Sequence, residues 1–134
     1  MTDFPYEDAR IDKIVEVLQD KKALDIKLMD LRQVTDSVDY FILCTGTSEP
    51  HIKGLVKDLA NALKEDGHRP WHLEGTNNHR WVLVDYVDIV VHIFRRDARE
   101  FYDLEHLWGD APLTSFAAEE VEEDALESYT LEKL

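Results

Sequence analysis

The chain has one cysteine, no long apolar run, and few basic residues for the acidic ones it carries. The cysteine is Cys44, inside an apolar stretch, and with no second one an intrachain disulfide is excluded. That fits a reducing compartment such as the cytoplasm. Cys44 itself reads as a small buried hydrophobe rather than a nucleophile. No apolar stretch reaches the ~20 residues of a membrane span. The start, Met-Thr-Asp-Phe-Pro-Tyr-Glu-Asp, lacks a basic segment followed by an apolar core, so no signal peptide is expected. Lysine and arginine number 15 against 29 aspartates and glutamates, a formal charge of −14. Such a surface repels phosphate backbones, which argues against an extended groove for RNA or DNA. It suits solubility, and it steers encounter with a basic partner.

The usual signatures of chemistry are missing as well. The histidines are His51, His68, His72, His79, His92 and His106. His68 and His72 have helical metal-site spacing, but Gly67 and Pro70 break any helix there, and no cysteine partner exists. His92 alternates with apolar neighbours and reads as a hydrogen-bonded core or interface histidine. Ser48 stands where a helix cap belongs, and no Gly-x-Ser-x-Gly or phosphate-binding loop accompanies it. Nucleotidyl transfer needs two or three carboxylates converging on a metal near a glycine-serine turn. Gly46-Thr47-Ser48 supplies the turn, but no Asp-x-Asp pair opens the helix after it. No catalytic, cofactor or metal residues are therefore assigned.

What is present is a foldable pattern, 44% hydrophobic with three Trp and five Phe. Ile11, Ile14, Val15 and Leu18 make a helical stripe within residues 6–22. Ala23–Leu31 alternates as a strand with one wet face. Tyr40–Thr45 is continuously apolar, as a central strand buried on both faces would be. Gly46 permits a turn, Thr47 or Ser48 caps, Pro50 fits the first helical turn, and an apolar stripe runs to about Glu65. Arg69–Glu74, Arg80–Tyr86 and Asp88–Phe94 are predicted strands, the last two joined as an antiparallel hairpin. Ala98 to Trp108 is predicted to be one helix with Phe101, Leu104, Leu107 and Trp108 on one side. The class is α/β, a mixed sheet of about five strands with helices packed on it. Residues 1–112 form the domain. Residues 113–134 hold seven acids against one lysine and read as an acidic C-terminal tail.

Three segments, in order, carry a family resemblance: Asp39-Tyr40-Phe41-Ile42-Leu43-Cys44-Thr45-Gly46-Thr47-Ser48; Arg80 through Phe94; and Phe101-Tyr102-Asp103-Leu104-Glu105 with Leu107-Trp108-Gly109-Asp110-Ala111-Pro112. Together they resemble the ribosomal silencing factors, the Iojap-like proteins, from about Tyr6 to Pro112. The resemblance implies a nucleotidyltransferase-like fold and a non-enzymatic role. It implies binding to the large ribosomal subunit at its protein fourteen, little direct RNA contact, and a steric block to joining of the small subunit. The docking strip it implies is Trp81, Leu83, Asp85, Tyr86 and Asp88, with Glu74 and Arg80 nearby. Tyr86 stands where the family varies toward Leu or small residues. A free apolar docking patch tends to be covered, so a homodimer is also expected. Two alternatives remain open: a metal-dependent nucleotidyltransferase, and an assembly factor for the large subunit.

Overall fold

Two side-chain caps start the long helices. Asp8 accepts the Arg10 N–H and opens α1 (Ala9–Asp20). Ser48 accepts the His51 N–H and opens α2 (Glu49–Glu65), with Pro50 in its first turn. The computed structural model describes residues 8–116. Six strands form one sheet: β1 (Leu24–Asp30), β2 (Tyr40–Gly46), β3 (His72–Glu74), β4 (Trp81–Asp85), β5 (Ile89–Arg95) and β6 (Leu113–Phe116), in the order β3-β4-β5-β2-β1-β6. Only β2 and β5 run parallel; every other pairing is antiparallel. Two short helices, α3 (Arg96–Tyr102) and α4 (Leu104–Leu107), follow β5.

The helical stripes explain the main core. Ile11, Ile14, Leu18, Ile52, Leu55, Leu59 and Leu63 are fully buried and meet Ile42, Cys44, Val82, Val84, Val91 and Ile93 from the sheet. Both long helices thus cover one face. On the other face a smaller cluster gathers Met29, Leu31, Leu43, Val90, Phe94, Ala98 and Leu104. Because strands alternate their side chains, β2 and β5 carry apolar residues on both faces to serve both clusters. Cys44 is completely buried, and burial pushes its thiol up to about 12, so it behaves as a hydrophobe.

Three details differ from the sequence expectations. The sheet has six strands rather than about five, because Leu113–Phe116 pairs with β1. The domain boundary expected at Pro112 therefore falls short of the last strand, while the rest of the expected tail, and the first residues of the helix expected from Tyr6, lie outside the described residues. β1 lacks a uniformly wet face: Leu28 and Met29 are both buried, since a cluster lies on each side of it. The helix expected over Ala98–Trp108 breaks at Asp103, which adopts a left-handed conformation with φ 47°. The break turns Leu104 into the core and leaves Phe101 79% and Leu107 72% exposed, so the expected one-sided stripe does not form.

The strand β6 sets a test for truncation. Ending the chain at Pro112 removes a strand whose four residues pair in register with Ile26 through Met29. Thermal unfolding of that protein is expected to fall by several degrees, as the loss of ~1–2 kcal/mol does in a domain this size. Ending it after Phe116 keeps every described element, and its midpoint is expected to lie above that of the protein ending at Pro112. Equal melting of both truncations would show that β6 adds nothing.

Candidate docking face

Residues opposite one another on adjacent strands share a face of the sheet. Glu74, Leu83, His92, Leu43 and Lys27 form one such row across β3, β4, β5, β2 and β1. His72, Asp85, Val90, Phe41 and Met29 form the next. Trp81 and Phe94 stand opposite each other at the far end. All of these lie on the face away from α1 and α2. The short helices α3 and α4 lie mainly over β2 and β5, and α3 reaches β4 only where Tyr102 meets Trp81. The β4 side stays open, so Trp81 and Leu83 are half-buried against the smaller cluster, as are Phe41 and Trp108.

Aromatic rings build this face. Trp81 stacks on Phe94 with centroids 5.1 Å apart, and Tyr102 from α3 lies 4.5 Å away on it. Phe41 meets His92 edge-on at 4.5 Å and Trp108 at 6.0 Å. The Trp81 indole N–H donates to His92 Nδ1 at 3.0 Å. His92 is 3% exposed, and burial pulls its pKa down to about 3, so the ring is neutral. The expected hydrogen-bonded histidine is therefore in place.

The hairpins that carry these residues have local causes. Gly75 sits at φ 85°, and a Cβ there would overlap the Trp81 carbonyl, so the β3–β4 turn requires glycine. The β4–β5 turn puts Val87 at φ 78° and is closed by the Val87 N–H donating to Asp85 Oδ1 at 2.7 Å. Below the face, Arg99 is buried and donates to Thr45 Oγ1, to the Asp25 carbonyl and to Glu105, fixing α3 and α4 to the sheet. Burial pushes the Glu105 carboxyl up, but hydrogen bonds from Arg99 and Lys27 outweigh it and hold it below the usual range.

The sequence-derived strip divides. Trp81, Leu83 and Asp85 lie together on the open face. Glu74 shares it and is exposed, bonded to His72 at 2.8 Å. Arg80 is at the rim, paired with Asp97. Tyr86 does not belong: it is 5% exposed, packs in the cluster under the long helices, and burial pushes its hydroxyl up to about 12. The alternation that puts Trp81, Leu83 and Asp85 outward puts Val82, Val84 and Tyr86 inward. Asp88 is tied to Arg10 of α1 at 2.6 Å, toward the helical side. Sequence reasoning missed Phe41 and Tyr102 as members of the face. The parity of Phe41 with Leu43 was visible, but assigning it to this side needs the β2–β5 register.

A second concavity, about 460 Å³, lies at the carboxyl ends of β2 and β5, lined by Thr45, Gly46, Thr47, Arg95, Arg96, Asp97 and Glu100 among others. It is where nucleotidyl chemistry would be sought on this fold. Among the described residues no three His, Cys, Asp or Glu side chains gather to hold a metal ion. No helix among them is long and apolar enough to cross a membrane.

Residues 6–133 match the family model described as ribosomal silencing factor during starvation. The chain belongs to the ribosomal silencing factor family. A ribosomal silencing factor of Bacillus subtilis is 42% identical over 94 residues, covering 70% of this chain and 80% of the relative. A mouse protein named mitochondrial assembly of ribosomal large subunit protein 1 is 33% identical over 121 residues, 85% of this chain and 53% of its own. A crystal structure from Chromobacterium violaceum superposes with a TM-score of 0.72 at 35% identity, covering 82% of this chain and 91% of that one. The residues matched by the family model include the β4–β5 hairpin and the α3–α4 segment.

Proposed function

We propose that this silencing factor binds the large ribosomal subunit through ribosomal protein fourteen and blocks joining of the small subunit. The observation that carries this is the open face itself. A partly exposed Trp81 and Leu83, with Phe41 on the same face and Asp85 and Glu74 at its rim, has the make-up of a protein interface, apolar at its centre and polar at its edge. Aromatic anchors of this kind carry most of an interface's energy. The charge of −14 suits a basic ribosomal protein as the partner and disfavours rRNA as the main contact. The action is steric: the domain occupies the bridge surface, and no bond is made or broken. It takes place in the cytoplasm.

Sedimentation with purified subunits tests this. The full chain is expected to travel with large subunits and not with small ones, and an excess of it is expected to lower the fraction of joined ribosomes. Unchanged joining at saturating protein would overturn the proposal.

The mouse relative favours a second reading, assembly of the large subunit through the same face. The two differ in the particle preferred. Tighter binding to immature than to mature large subunits would favour assembly.

A further inference from the structure

Trp81 is held unusually well for a side chain on an open face. Phe94 stacks beneath it, Tyr102 packs on it from α3, and its indole N–H is bonded to His92. Trp71, which is 74% exposed at the sheet edge, has no such hydrogen bond among the described residues. His92 is expensive for the fold to keep. To accept from Trp81, its Nδ1 must be unprotonated, so in the neutral ring the proton sits on Nε2. Nε2 is buried and has no partner among the described residues. A leucine or phenylalanine at this central strand position would bring no buried Nε2–H to leave unpaired. The nitrogen facing Trp81 is what a histidine adds.

We propose that His92 is a positioning residue that holds the Trp81 indole in one orientation, so that the docking face meets its partner already set. The inference rests on the docking function proposed above. An aromatic anchor that must be ordered during binding loses rotamer freedom at that moment; one already fixed does not. For a single side chain the difference is about five- to tenfold in affinity. His92 needs no contact with the partner, because it acts through Trp81.

The test uses nitrogen-labelled full-length protein and purified large subunits. The Trp81 indole proton, assigned by its loss in Trp81→Phe, is expected to exchange slowly with solvent. The His92 ring is expected to show the Nε2–H tautomer. His92→Leu keeps the volume and removes the acceptor. It is expected to speed indole exchange about tenfold and to weaken binding five- to tenfold, while unfolding stays cooperative. His92→Asn places Oδ1 where Nδ1 stood and is expected to restore most of both. In a Trp81→Phe background, His92→Leu is expected to change affinity no further. Unchanged indole exchange in His92→Leu, or an equal loss of affinity in the Trp81→Phe background, would overturn the proposal. Should His92→Leu fail to fold, an Nδ1–H tautomer in the wild-type protein would overturn it instead. If the wild-type chain does not bind large subunits, the docking function fails, and the tautomer and exchange data decide the positioning role alone.

Discussion

Trp81→Ala is expected to weaken binding to large subunits about thirtyfold while lowering stability by only ~2 kcal/mol. The first figure follows from loss of a central aromatic anchor worth ~2 kcal/mol. The second follows from the packing. Trp81 is half-buried, so truncation loses its contact with Phe94 and Tyr102 but opens no sealed cavity. A fully buried tryptophan would cost ~3–5 kcal/mol. Asp85 separates charge from packing. Asp85→Asn keeps an oxygen for the Val87 N–H and removes the charge, so the turn should persist. Asp85→Lys inverts the charge and also gives up that bond, at ~1 kcal/mol. Against a basic partner, affinity is expected to fall in the order wild type, Asn, Lys. Normal binding by both Trp81→Ala and Asp85→Lys would place the docking surface elsewhere.

Mild acid is the second large effect. His92 has an ordinary value of 6.5 that burial pulls down to about 3 in the folded protein. Its folded pKa is depressed, so the unfolded chain takes up the proton first. Above pH 6.5 His92 costs nothing by titration. As pH falls from there toward 3, stability is lost at up to ~1.4 kcal/mol per pH unit. By pH 4 the loss is on the order of 3 kcal/mol. The carboxylates act lower. Asp8 and Asp30 are held down by hydrogen bonds from Arg10 and Arg32, and Glu105 is lowered too. Their contribution is complete above their unfolded values near 4 and is lost only as pH drops below that. The window from 6.5 to 4 therefore reports mainly His92 among the shifted groups. Denaturant unfolding of the wild type and His92→Leu across this range should show a steep loss for the first and a shallow one for the second. Parallel curves would mean that His92 is not the buried base.

The long helices, the central strands and the β4–β5 hairpin were legible because each follows from a local period and a local turn. Ile11, Ile14 and Leu18 repeat at helical spacing, and only the short gap around Tyr86-Val87 separates the two apolar runs of β4 and β5. The α3–α4 break was not legible. Phe101, Leu104, Leu107 and Trp108 keep the spacing of one stripe, and aspartate is only one of several residues that tolerate a left-handed turn. Strand β6 escaped for a similar reason. Leu113–Phe116 is short and precedes an acidic run, so nothing local separates it from a tail; its partner on β1 lies far back in the chain.

By itself the sequence determined which residues of β4 share a side. Alternation is a property of the extended backbone, so Trp81, Leu83 and Asp85 had to lie together and apart from Val82 and Val84. It also determined the family, through motifs whose order survives without any knowledge of folding. Only the tertiary structure decided which of those two sides faces outward. Both rows are apolar enough to be core, and the choice depends on where α1 and α2 pack. Those helices bury the Val82, Val84 and Tyr86 row, whereas the short α3 reaches β4 only at Trp81 and leaves the Trp81, Leu83 and Asp85 row partly exposed. The hydrogen bond from Trp81 to His92 belongs to the same category, because strand pairing joins residues from two separate runs of the chain, and periodicity within one run carries no information about its neighbour.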